Sequence, residues 1–222
     1  MKKKITYLLF FLLFFNCNLY AQLIPNFHNI EFDIYRNGDL VGYHKVSFFE
    51  KDNNTKEIIS DLAFQVKILG IEAYNYKSYA IEIYQNDKLI SFKSDTNDDG
   101  DNDHCYIKLL SNDYYDFDGS TEGKVYKYTS NKKFTLGTWW DANIIKNTNI
   151  IGAQSCRQFN SQVTYLSDEN ITVNQKSYKV KNYNVLDNGL DVNVGYNEAE
   201  NLWVGMNFKL KGDWAYKLKT LN

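Results

Sequence analysis

Apolar and polar residues alternate along the C-terminal end of this chain with a period of two. Leu190, Val192, Val194 and Tyr196 alternate with Asp191, Asn193 and Gly195. After the polar stretch 197–201, Leu202, Val204, Met206, Phe208 and Leu210 alternate with Trp203, Gly205, Asn207 and Lys209. Lys211-Gly212-Asp213 turns the chain, and Trp214, Tyr216 and Leu218 follow opposite Ala215, Lys217 and Lys219. Such a period puts alternate side chains on opposite faces of a strand, leaving one apolar face to bury. Short polar gaps between such segments predict an antiparallel meander.

The same pattern recurs upstream. Ile30, Phe32 and Ile34 alternate with Glu31 and Asp33, and Asn37-Gly38 is a strong hairpin signal. Further strands are predicted at 40–49, 61–69, 73–84, 89–94, 104–110, 124–129, 161–166, 171–173 and 178–186. No long segment has a helical period, and Pro25 is the one proline. The expected fold is all-β: a meander of about a dozen strands forming a strongly curved sheet or open barrel. Residues 131–155 break the alternation around Thr138-Trp139-Trp140-Asp141. Asp141 is placed to N-cap a short helix from Ala142 to Lys146. This insertion divides the meander or plugs one end of a barrel.

The N-terminus reads as a targeting segment. Lys2, Lys3 and Lys4 precede an uncharged apolar run, 5–15, of signal-peptide length and too short for a membrane span. Cleavage is expected after Ala21, with lipidation at Cys17 as the rival reading. Residues 22–222 then form a single β-rich domain with no transmembrane segment, exported to the periplasm of a Gram-negative bacterium. Cleavage leaves 22 cationic against 27 acidic side chains, a net charge near −5. That balance argues against nucleic-acid binding, which needs a basic face. Cys105 and Cys156 remain, as either one disulfide or two buried thiols.

Few motifs suggest chemistry. Asp95, Asn97, Asp99, Asp101 and Asp103, with Gly100, match the first half of an EF-hand-type calcium loop. Position twelve is Tyr106, where a bidentate Glu is needed, and the flanks are strand-like. A solvated hairpin tip is the main expectation and weak calcium binding the alternative; no other cofactor is indicated. His28, His44 and His104 read as surface or strand-edge side chains. No nucleophile elbow or phosphate loop is present, so no catalytic residue is assigned. Glu82 lies in an aromatic strand, in phase with Tyr76 and Tyr84. If that face points inward, Glu82 is a buried acid with Arg157 as a candidate partner. Trp139 and Trp140 either line a pocket mouth or plug the core. Glu82, Trp139, Trp140, Tyr76 and Arg157 are therefore the candidate ligand-binding residues.

The stretches FDIYRNGDLVGYHKVSF (32–48), FQVKILGIEAYNYKSYAIEIYQNDKLISFKSDTNDDG (64–100) and VGYNEAENLWVGMNFKL (194–210) carry a family resemblance. Together with the Trp139-Trp140 pair, they resemble an exported bacterial family catalogued as domain of unknown function 6134. The resemblance implies a periplasmic, mainly antiparallel β-protein and no known activity. The acidic excess at 95–103 departs from the plainer turn expected of that family. Functionally, the chain reads as a non-enzymatic protein binding an apolar or lipid-like ligand within its curved sheet. Two alternatives are an interaction module for envelope proteins and an enzyme using Glu82.

Overall fold

The computed structural model describes residues 29–187 and 189–221, so the expected signal peptide and His28 lie outside the described residues. The first arm comprises β1 (Asn29–Arg36), β2 (Asp39–Lys51), β3 (Thr55–Ile68), β4 (Ile71–Gln85), β5 (Lys88–Asp98), β6 (Asp101–Leu109), β7 (Tyr115–Thr121) and β8 (Lys124–Ser130). The insertion contributes β9 (Thr135–Leu136), β10 (Asn149–Ile151) and β11 (Gln158–Asn160). The second arm comprises β12 (Gln162–Val173), β13 (Lys176–Asp187), β14 (Leu190–Asn197), β15 (Leu202–Lys209) and β16 (Asp213–Leu221).

Thirteen strands form one antiparallel sheet in the order β12-β13-β14-β15-β16-β1-β2-β3-β4-β5-β6-β7-β8. Each arm is a run of hairpins, and β1 pairs with β16 to join the two, Ile30 opposite Leu221 and Arg36 opposite Trp214. The sheet is curled but not closed, since its edge strands β8 and β12 do not pair. Both edges carry charge, Lys124 and Lys127 on β8 and Asp168 and Glu169 on β12, which discourages pairing with another molecule. Curvature brings β1 against β15, with the Phe32 and Trp203 rings 4.1 Å apart although β16 lies between their strands.

Register organises the inner face into rows. Phe48, Ile58, Glu82, Phe92, Ile107 and Phe117 are successive partners across β2 to β7, all buried. One step along, Val46, Ser60, Ala80, Ser94, Cys105 and Gly119 form a row of small side chains. That row makes room for the insertion. A Cβ at Gly119 would lie 2.1 Å from the Ser155 carbonyl oxygen, and Cys156 is disulfide-bonded to Cys105.

The insertion is a plug that touches both arms. Trp140 packs edge-on against Phe48 of β2 at 5.4 Å. Tyr196 of β14 donates to the Trp139 carbonyl at 2.7 Å, and the Ala142 amide donates to Asn201. Its internal structure is richer than the expected helix or loop. β9 and β10 pair in parallel and β11 closes a three-stranded sheet. Asp141 caps a short 3-10 helix, Ala142–Ile145, by accepting from the Asn143 amide at 2.9 Å.

Several expected boundaries are corrected. β5 and β6 run to Asp98 and from Asp101, so the turn is only Asp99-Gly100 rather than the whole of 95–103. β12 is one strand with a bulge between Tyr165 and Ser167, where two segments were expected. β7 was not expected at all.

Candidate functional site

Glu82 is the one carboxylate in the apolar row, and it is 1% exposed. Three groups of two elements converge on it. Tyr84, two residues along β4 and therefore on the same face, donates its hydroxyl to Oε2 at 2.7 Å. Trp140, from the insertion, donates its indole N–H to Oε1 at 2.6 Å. Thr138 adds a side-chain hydrogen bond. Burial pushes the Glu82 carboxyl up to about 7, against the pull of its three donors, with Asp141 adding to the rise. Burial likewise raises Asp141, against the two hydrogen bonds from Asn143. Trp139 adopts a left-handed backbone, φ +67°, uncommon for a bulky residue. The hydrogen bonds of its carbonyl to Tyr196 and of its neighbour Trp140 to Glu82 hold it there.

Beside this node lies an open cleft of about 540 Å³ between the insertion and the β4–β7 side of the sheet. Tyr84 and Asp141 reach its wall. Leu89 and Leu136, both buried, line it with the half-buried Tyr115 and Phe134. Lys88, Lys132, Lys133 and Lys146 also border it. Lys88 is paired with Asp113, and Asp87 with Lys56 at 2.7 Å. Lys132, Lys133 and Lys146 form no ion pair among the described residues.

The expected ligand set divides. Glu82 and Trp140 meet, with Trp139 adjoining. Tyr76 shares the inner face but lies six residues away along β4, roughly 20 Å. There it stacks on Phe64 at 5.0 Å and reaches the Gln154 amide oxygen at 3.4 Å. Arg157 lies over the Phe159 ring at 4.8 Å and beside the turn at Gly189, not at Glu82. Spacing along one strand reports phase, not proximity, and nothing in the local sequence places Arg157 near Glu82.

The calcium set divides for the same reason. Asp95 and Asn97 point outward, while Asp103 points inward with Thr96 and Cys105. Asp95 accepts from Tyr106 and pairs with Lys93 at 3.1 Å. Asp99 accepts from the Asn75 amide at 3.2 Å, and Asp101 sits exposed opposite Asp98. Asp103 accepts from Thr121 at 2.7 Å and Gln154 at 2.6 Å. Gln154 also reaches Asp98, which accepts from Tyr74. An EF-hand loop gathers alternate residues around one ion, whereas a strand sends them to opposite faces. Among the described residues no three His, Cys, Asp or Glu side chains are grouped to hold a metal ion.

His44 corrects a further expectation. It is buried at the core rather than at the surface, bonded through Nε2 to Ser60 at 2.6 Å and edge-on to Trp203 and Tyr216. Burial holds its imidazole down at about 3, so it is neutral. Its position in an alternating strand, in phase with Val46 and Phe48, was the available signal.

No curated protein matches the chain. A solved structure from Brucella abortus, described as a beta-barrel-like protein of domain of unknown function DUF1849, matches with a TM-score of 0.62. The match covers 90% of this chain and 98% of that one at 12% identity, which shows a shared fold. Residues 32–219 match the family described as Domain of unknown function (DUF6134), and the chain belongs to that family.

Proposed function

We propose that the protein is an exported, non-catalytic binding protein of the bacterial periplasm whose ligand is an anionic amphiphile. The ligand sits in the cleft beside the insertion rather than inside the curled sheet. The cleft itself carries this reading: 540 Å³ is within the ~300–1,000 Å³ of typical small-molecule sites. The half-buried Tyr115 and Phe134, backed by the buried Leu89 and Leu136, supply a surface for an apolar chain, and Lys132 and Lys133, with Lys146 beside Asp141, supply charge for its head group. The inside of the sheet is instead filled by Phe32, Phe92, Phe117, Trp140, Tyr196 and Trp203, each 1% exposed or less. Glu82 lies sealed beneath Trp140, which supports a structural carboxyl holding the plug rather than a catalytic one.

The test is displacement of a fluorescent fatty acid from the purified protein, with native mass spectrometry of the extracted ligand. Changing Lys132, Lys133 and Lys146 together to Ala is expected to weaken an anionic probe roughly tenfold or more. A neutral probe of equal chain length should be little affected. Failure of the wild type to bind, or equal binding by the triple variant, refutes the reading.

A further inference from the structure

One hairpin leaves the sheet. The last β2–β3 partners are Gly42 and Phe64, and the last β4–β5 partners are Tyr76 and Asp98. From Lys67 to Ala73 the hairpin continues as an exposed finger paired only with itself, while Val66 and Tyr74 at its base still pack into the core. Its tip is Ile68, Leu69, Gly70 and Ile71, with Ile68 opposite Ile71. These three aliphatic side chains are 58%, 97% and 72% exposed.

Leu69 is out of place on two counts. It stands fully in water, and its backbone is left-handed at φ +53°. The matching left-handed positions of the other tight hairpin turns hold Asn37, Asn54, Asn86, Asp99, Glu122 and Asn174. Polar residues, Asn and Asp above all, suit such turns, whereas leucine there is uncommon. Among the described residues, the apolar exception to this polar usage at two-residue hairpin turns is Leu69, at the tip of the finger.

What covers this tip must suit its shape. Three side chains on a convex point offer far less than the ~800 Å² per partner of a stable protein interface. A lipid surface has no such requirement. It accepts a protrusion whose backbone hydrogen bonds are closed internally, as those of a hairpin are. Lys67 and Glu72, exposed and opposite each other just behind Ile68 and Ile71, leave the finger without net charge, so its attraction to a bilayer rests on the apolar tip, with the Lys67 stem extending that apolar surface. Leu40 (61% exposed), two residues beyond Gly42, lies toward the same end of the sheet.

We propose that the finger tip inserts Ile68, Leu69 and Ile71 into the head-group boundary of a phospholipid bilayer. The protein is thereby held peripherally at a membrane surface. This inference does not depend on the cleft having a ligand.

The experiment is co-sedimentation of the purified protein with phosphatidylethanolamine–phosphatidylglycerol vesicles, comparing wild type with Leu69→Asn. Asn-Gly is the favoured pair for this turn, so the variant keeps its fold, with an unchanged or higher melting temperature. Vesicle affinity is expected to fall roughly ten- to a hundredfold, the worth of one buried leucine. Absence of wild-type binding, or equal binding by Leu69→Asn, overturns the proposal. So does sedimentation velocity showing a lipid-free wild-type dimer that Leu69→Asn dissolves, since the tip would then be covered by a second copy.

Discussion

Replacing Glu82 with Gln tests whether the buried carboxyl controls how stability depends on pH. Its folded-state value is raised from 4.5 to about 7. The folded protein therefore holds this proton more tightly than the unfolded chain. The resulting stability is fully present below pH 4.5 and is lost as pH rises through 7. At 1.36 kcal/mol per pH unit, that interval corresponds to about 3 kcal/mol. Because Glu82 is 1% exposed, solvent screening takes little from this figure. Gln is isosteric and neutral. Its oxygen accepts from the Trp140 N–H, and its amide donates to the Tyr84 hydroxyl oxygen after that hydroxyl turns. The variant should match the wild type near pH 4.5 and exceed it by up to about 3 kcal/mol at pH 8. In a domain of this size that is roughly 6–12 °C in melting temperature. Thermal unfolding followed by circular dichroism from pH 4.5 to 8.5 measures it. The difference between the two proteins cancels titrations they share, including that of His44. A pH-independent difference, or a variant less stable than wild type at pH 8, would refute the reasoning.

Other perturbations probe the same architecture. Changing both Cys105 and Cys156 to Ser opens a link of sequence separation 51 and should lower stability by about 4 kcal/mol, read as a shift in urea midpoint; an unchanged midpoint argues against it. Gly119→Ala places a methyl 2.1 Å from the Ser155 carbonyl oxygen and should destabilise by about 1–3 kcal/mol, with exchange protection lost first at the insertion. Trp140→Phe removes a donor to Glu82, a loss of about 1–3 kcal/mol. That loss should be larger at pH 8, where the acceptor is charged, than at pH 5. His44, neutral because its value is lowered to about 3, contributes stability present above pH 6.5 and lost as pH falls. His44→Phe should flatten the acid limb of the stability curve.

The strands that were legible are those whose apolar residues alternate without interruption. The bounds of β14, β15 and β16 are legible almost to the residue and Asn37-Gly38 marks its hairpin, but Trp203, which the alternation places on the polar face, is fully buried next to the bulge between Gly195 and Tyr196. β7 escaped because Tyr115-Asp116-Phe117-Asp118-Gly119-Ser120-Thr121 is rich in turn formers. Gly119 is there to admit the insertion, a tertiary reason that local pattern does not carry. The acidic run suggests one loop because Asp and Asn favour turns on their own account. In the fold their side chains are satisfied by Tyr74, Tyr106, Thr121 and Gln154 from other segments. Glu82 was visible through its phase in an aromatic strand. Trp140, its partner 58 residues away, was noted for different reasons, and only the folded chain joins them. Tyr76 shares the phase of Glu82 but lies farther along the strand, and Arg157 lies beside Phe159 and the turn at Gly189.

The seam between β1 and β16 has a consequence for how the molecule is made. Synthesis delivers the first arm as a series of hairpins, each pairing with the strand just before it. Cys105 and Cys156 both precede β12, so their link ties the insertion to the first arm without involving any strand of the second. Until the second arm is made, β1 stands at a raw border, its hydrogen-bonding groups waiting for the last nine residues of the described chain, Asp213–Leu221. Contacts of such long sequence separation form slowly, and an unpaired apolar strand invites association with other chains. Chains truncated before Asp213 should therefore aggregate through β1 while keeping a folded first arm.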